Sequence, residues 1–220
     1  MKRAAVLILV FLLVGCVKTP EPIPNTPPVI SDDSAIGFIG CSNTGQTVNG
    51  YYAAGGERIW AVDKSVAINQ GTYPPFGGGT VNKWSETLDN NIYWDIFDEY
   101  LALHPDTKTV WWQLCIKQTD VFTYDTAHIV LEEIRERIPG VTVYVSPLPP
   151  FTDHTCSITG KTGFERMNGL AEELAEKEDD VSLAPVLPGL VRSEHVQDGC
   201  HMTPAGSKKV GTALKEFFDD

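Results

Sequence analysis

An α/β fold, with a parallel sheet covered by helices on both faces, is what this chain of 220 residues predicts. Two observations carry that expectation. Short runs of apolar and β-branched residues recur along the chain, and segments with helical spacing of apolar residues separate them. A strand buried on both faces reads as a continuous apolar run, as these do, and the alternation with helices favours parallel pairing.

The chain begins with Lys2 and Arg3 ahead of an apolar stretch from Ala4 to Val14, too short to span a bilayer comfortably. The stretch ends in Leu13-Val14-Gly15-Cys16, which resembles a lipobox. Residues 1–16 are therefore expected to be a lipoprotein signal peptide, with Cys16 the lipidated residue. Residues 17–34 hold Pro20, Pro22, Pro24, Pro27 and Pro28 with no apolar periodicity, and predict an extended tether. Residues 35–220 suffice for one domain with a full core.

Within that domain the first strand is Ala35 to Gly40, the second Thr109 to Leu114 and the third Val141 to Ser146. Tyr93 to Leu103 predicts a helix through Ile96, Phe97, Tyr100 and Leu101. Thr126 to Ile138 predicts another, stopped by Pro139-Gly140. Phe164 to Glu178 is amphipathic, and Pro204 to Phe218 is the last helix. Trp111 and Trp112 fall in a strand covered on both faces and are expected in the core.

A formal net charge of −12 excludes nucleic acid as a natural partner, because phosphate contacts need basic patches. Setting Cys16 aside leaves Cys41, Cys115, Cys156 and Cys200, an even number in a chain marked for export. Two disulfides are expected, with three connectivities open. A zinc site is disfavoured, since His154, Cys156, Cys200 and His201 lack the usual ligand spacing. No metal or cofactor is expected, and the domain is expected to be a monomer.

In an open parallel sheet the chemistry lies at the carboxyl ends of the strands. The first strand leads into Gly40-Cys41-Ser42-Asn43-Thr44, which places Ser42 in the turn above the sheet edge. Near the C-terminus, Asp198-Gly199-Cys200-His201 precedes the last helix. One short loop can thus present a proton acceptor together with the carboxylate that orients it.

Here the chain resembles the SGNH, or GDSL-like, hydrolase family, on Ser42 with its following Asn43 and Thr44 and on the Asp198-x-x-His201 block. The resemblance runs from about Ile36 to Phe217. It implies a three-layer α/β/α sandwich with a central parallel sheet, flavodoxin-like, and a serine ester hydrolase with Ser42 as nucleophile, His201 as base and Asp198 as its orienting acid. The oxyanion donors it implies are the N–H of Ser42 and a glycine of Gly77-Gly78-Gly79, with Gly78 or Gly79 as donor. The family's third block, Gly-x-Asn-Asp, reads Cys115-Ile116-Lys117-Gln118 here, so Lys117 or Gln118 stands in for the asparagine donor. The family's strand order makes Cys41 and Cys115 neighbours, which leaves Cys156 to pair with Cys200.

The expected activity is hydrolysis of a small acyl ester outside the cytoplasm, deacetylation of a glycan being one such reaction. The alternative is a lipid-anchored glycan-binding protein that keeps the triad without turnover. Tyr73, Trp84 and His154 are the candidate substrate contacts.

Overall fold

A computed structural model describes residues 34–62, 76–86 and 91–219. The expected signal peptide with Cys16, the tether except its last residue Ser34, and Tyr73 lie outside the described residues. Four strands, β1 (Ile36–Ile39), β2 (Thr109–Leu114), β3 (Thr142–Pro147) and β4 (Val181–Leu183), form one sheet in the order β1-β2-β3-β4. All pairings are parallel: Ile36 lies beside Thr109, Thr109 beside Thr142, and Val143 beside Val181. A single parallel bridge joins Ile59 to Ile36, with Ile36 N–H donating to the Arg58 carbonyl and Trp60 N–H to the Ile36 carbonyl, both at 2.9 Å. Chain between β1 and β2 thus lies on the outer edge of β1, a rudimentary strand that reverses the order at β1.

Six helices accompany the sheet among the described residues: α1 (Ser42–Ala53), α2 (Val81–Ser85), α3 (Ile92–Leu103), α4 (Tyr124–Arg137), α5 (Gly163–Lys177) and α6 (Pro204–Phe218). A 3₁₀ turn spans Arg192–Glu194. α1 packs along α6, α2 and α5 pack on α4, and α3 rests on β1. Every residue of β1 and β2 is buried, Thr109 and Gln113 included, which is why both read as mainly apolar runs. Phe38 sits among Trp60, Phe76 and Tyr100, at ring separations of 6.4, 5.5 and 6.2 Å. Trp111 and Trp112 are fully buried, as expected, and Trp111 Nε1 donates to Ser146 Oγ at 3.0 Å.

The contact between α1 and α6 is backbone on backbone. A Cβ on Gly50 would lie 1.8 Å from the Ser207 carbonyl oxygen, and one on Gly211 would lie 2.1 Å from Gly50 C and Tyr51 N. Neither neighbour is a side chain that could swing away. Gly211→Ala is therefore expected to lower stability by about 3 kcal/mol, the upper range for overpacking a well-packed core. Gly169→Ala on α5, where nothing lies within 4 Å of the added methyl, is expected to raise stability by about 0.5–1 kcal/mol. Urea unfolding of both variants checks the pair, and equal midpoints would contradict the close contact.

Candidate active site

After Ile39 the chain turns through Gly40 and Cys41 into α1, whose first residue is Ser42. Gly40 has a φ of +151°, and a Cβ there would come within 2.1 Å of Thr44 Oγ1 and 2.7 Å of the Gln113 carbonyl oxygen. Only glycine fits so tight a turn. Two bonds lock it: Cys41 N–H donates to Thr44 Oγ1, and Trp84 Nε1 donates to the Gly40 carbonyl, both at 2.9 Å. Ser42 thereby stands at a helix N-terminus above the carboxyl edge of the sheet. The first amides there have no intrahelical acceptor, and the helix dipole favours negative charge.

His201 arrives on the loop between the 3₁₀ turn and α6. Val196 N–H donates to the His201 carbonyl and Thr203 N–H to the Glu194 carbonyl, both at 2.9 Å, which closes the loop as a small hairpin. Asp198 organises its tip. Its Oδ1 accepts the N–H of Cys200 at 2.8 Å and of His201 at 2.9 Å, while Oδ2 lies 2.5 Å from His201 Nδ1. Since Nδ1 faces a carboxylate, it is the nitrogen that carries the proton. Nε2 is left to accept from the Ser42 hydroxyl at 2.8 Å. Burial alone would raise the Asp198 carboxyl, but the bonds from the His201 ring and the two amides outweigh it and hold it at about 2.

Side chains of α1 reach across to the same loop. Gln46 Nε2 donates to the Met202 carbonyl at 3.0 Å, and Met202 N–H returns a bond to Gln46 Oε1 at 2.9 Å. Asn43 Nδ2 donates to the Cys200 carbonyl at 3.2 Å. Two disulfides complete the frame, Cys41–Cys115 with a Cα separation of 6.1 Å and Cys156–Cys200 with 4.9 Å. These are the pairs that the family's strand order implies. All four cysteines line the cavity onto which Ser42 and His201 open, with a volume of about 340 Å³. Its remaining wall includes Gly78, Lys117, Ile116 and Leu148.

Of the other sequence-predicted residues among those described, Gly78 and Lys117 stand on the cavity wall and the rest do not. Gly78 lines the cavity with φ +81°. Gly79 does not, because its N–H is taken by the Phe76 carbonyl at 2.9 Å. Lys117 is on the cavity wall, its own N–H bonded to Asp120 Oδ2 at 2.8 Å. Gln118 is turned away, with Nε2 donating to the Ser157 carbonyl at 2.9 Å. Trp84 is fully buried against Phe76 and Trp94, at ring separations of 4.9 and 4.7 Å, so it supports the turn at Gly40 and cannot touch a substrate. His154 stands behind the Asp198 loop, bonded to Asp153 and to the Gly199 carbonyl. Asn43, Ile116 and Leu148 were not foreseen as cavity residues. For Asn43 the available signal was its place directly after Ser42 in a first helical turn.

Among the described residues no group of three or more His, Cys, Asp or Glu side chains could hold a metal ion. Nor is any helix among them long and apolar enough to cross a membrane. No family model matches the chain, and no curated protein does. The solved structures similar to it include two esterases. One is a carbohydrate esterase family 3 protein from Talaromyces cellulolyticus, with 15% identity, a TM-score of 0.46, and coverage of 83% of this chain and 93% of that one. The other is an acetyl esterase mutant with acetate ion, at 15% identity and a TM-score of 0.43, with the same coverage.

Proposed function

We propose that this chain is an extracytoplasmic serine esterase, tethered to a membrane through Cys16, that hydrolyses small acyl esters carried on a glycan. One observation supports the reading above all. Ser42, His201 and Asp198 form a continuous hydrogen-bonded line, at 2.8 and 2.5 Å, that opens onto a cavity. Such a line has a defined use in acyl transfer.

Ser42 Oγ attacks the ester carbonyl carbon while His201 Nε2 takes its proton. The imidazolium that results is stabilised by the Asp198 carboxylate on Nδ1. Negative charge on the carbonyl oxygen is met by the N–H groups of Ser42 and Gly78, with Lys117 on the wall as the nearby cation. His201 then gives its proton to the leaving alkoxide. Water, activated by the same ring, attacks the acyl-serine, and the acid is released with Ser42 restored. Disulfides beside the nucleophile fit an oxidising compartment.

The binding-only alternative has less support. A site that only binds a sugar has no use for a hydroxyl, an imidazole and a carboxylate joined in one hydrogen-bonded line. A serine-directed phosphonate should label the wild type and leave Ser42→Ala and His201→Ala unlabelled. Equal labelling of wild type and Ser42→Ala would sink the assignment.

A further inference from the structure

Behind the loop that presents Asp198 and His201 lies a second acid–histidine pair that the acyl-transfer steps do not use. His154 Nδ1 is 2.9 Å from Asp153 Oδ1, and Nε2 is 3.0 Å from the Gly199 carbonyl oxygen. Turning the ring over would remove both contacts, so the assignment of its nitrogens is internally consistent. Both partners are acceptors. The Asp153 carboxyl is held below the usual carboxylate range, first by its bond with His154 and also by the Arg192 N–H, which it accepts at 2.7 Å. It has no proton to offer, and a carbonyl never does. A neutral imidazole carries one N–H and could satisfy only one of the two, leaving a lone pair against a lone pair at the other.

We propose that His154 is held as an imidazolium and acts as a positioning residue, its charge clamping the Gly199 carbonyl so that the turn from Asp198 to His201 keeps its shape. Gly199 sits in that turn with φ +69°, between the orienting acid and Cys200. Arg192 does the same for the preceding residues. Its guanidinium donates to the carbonyls of Val196 and Gln197 at 2.8 Å and of His195 at 3.3 Å. Two cations thus hold the main chain of the loop from behind, and the Asp198 carboxylate is left to face forward, toward the amides of Cys200 and His201 and the His201 ring.

The groups around His154 agree with a charged ring. From its own loop come Asp153, which supplies the counter-charge, and Phe151, whose ring lies 5.2 Å away edge-on. From the segment after the 3₁₀ turn comes His195, with ring centres 4.7 Å apart. Burial pushes His195 down, so that neighbour is neutral, with Nδ1–H donating to the Val191 carbonyl at 3.0 Å. Arg192 is the one opposing charge among these, and Asp153 bonds to both its N–H and His154. From the front, Asp198 adds a further negative charge on the far side of Gly199.

The clamp needs an N–H aimed at the Gly199 carbonyl. His154→Gln, whose side-chain amide can donate there, should therefore keep it.

The kinetic arm of the test rests on the esterase reading; the spectroscopic arms do not. Nitrogen-15 spectra of the wild-type rings at pH 7 should show His154 with both nitrogens protonated. In His154→Ala, hydrogen exchange at the Cys200 and His201 amides, both bonded to Asp198, should speed up while the exchange of β2 stays unchanged. For a p-nitrophenyl ester, kcat should fall by about tenfold to a hundredfold in His154→Ala with KM little changed, the size expected when a catalytic group is misplaced by up to an ångström. His154→Gln should recover most of kcat. A neutral His154 tautomer in the wild type would overturn the proposal. So would a folded His154→Ala with unchanged amide exchange. If no form shows turnover dependent on Ser42, the esterase reading fails alone, and the spectra still decide the clamp.

Discussion

Ser42→Ala is expected to lower kcat/KM for a small ester by about 10⁴-fold or more, with little change in stability. The hydroxyl is the cavity group that His201 Nε2 meets, at 2.8 Å. Removing either partner ends the same step. His201→Ala and the double variant should therefore fall to about the same residual rate as Ser42→Ala, because groups that act as a unit are grossly non-additive. That non-additivity is the more telling result. Independent contributions would multiply in the double variant and would break up the hydrogen-bonded line as a functional unit. Ser42 is only partly buried, so the alanine costs the fold little. With the Asp198 carboxyl at about 2, loss of its negative charge cannot account for an activity change near neutral pH.

The second large effect concerns the Cys156–Cys200 bond. It closes a loop with a sequence separation of 44, for which the chain-entropy model gives about 4 kcal/mol of stabilisation. Replacing both cysteines by serine is expected to lose stability of that order, read from the urea midpoint. It should also lower kcat well below the fraction explained by unfolding, since Cys200 adjoins His201 and its carbonyl receives the bond from Asn43. The Cys41–Cys115 bond has a sequence separation of 74, and its removal should cost a similar amount, about 4 kcal/mol. It touches the nucleophile's turn and leaves the loop of His201 alone. A Cys156→Ser/Cys200→Ser protein with wild-type turnover in its folded fraction would show that the loop does not depend on the bond.

The strands and the later helices were legible because their burial is written in side chains. β1, β2 and β3 are mainly apolar and β-branched runs, and α3, α4, α5 and α6 fall within about two residues of their expected bounds. α1 was not legible. Its sequence Ser-Asn-Thr-Gly-Gln-Thr-Val-Asn-Gly-Tyr-Tyr-Ala has poor helix propensity and little apolar periodicity, yet most of it is buried. Its packing face is made of small and polar residues because the partner helix lies backbone against backbone. β4 is three residues long and the bridge at Ile59 a single pair, too short for any pattern. At the site, Ser42, Asp198 and His201 were readable because a strand end and a fixed spacing place them. Gly79, Gln118, Trp84 and His154 lie off the cavity wall, because a sequence does not say which carbonyl an N–H or a ring will meet. Each of those groups is engaged by a main-chain oxygen that sequence spacing cannot reveal.

The meeting of Gly50 and Gly211 reaches further than packing. α1 begins at Ser42, and α6 begins three residues after His201. Nucleophile and base thus ride on the tips of two rods, and the rods touch where neither carries a side chain. The pair works as a caliper: the thickness of the material between its arms sets the gap at its points. A methyl group at the pivot, more than two helical turns from the chemistry, would open the jaws. Gauged this way, the reach from oxygen to nitrogen is a dimension set by two bare glycines.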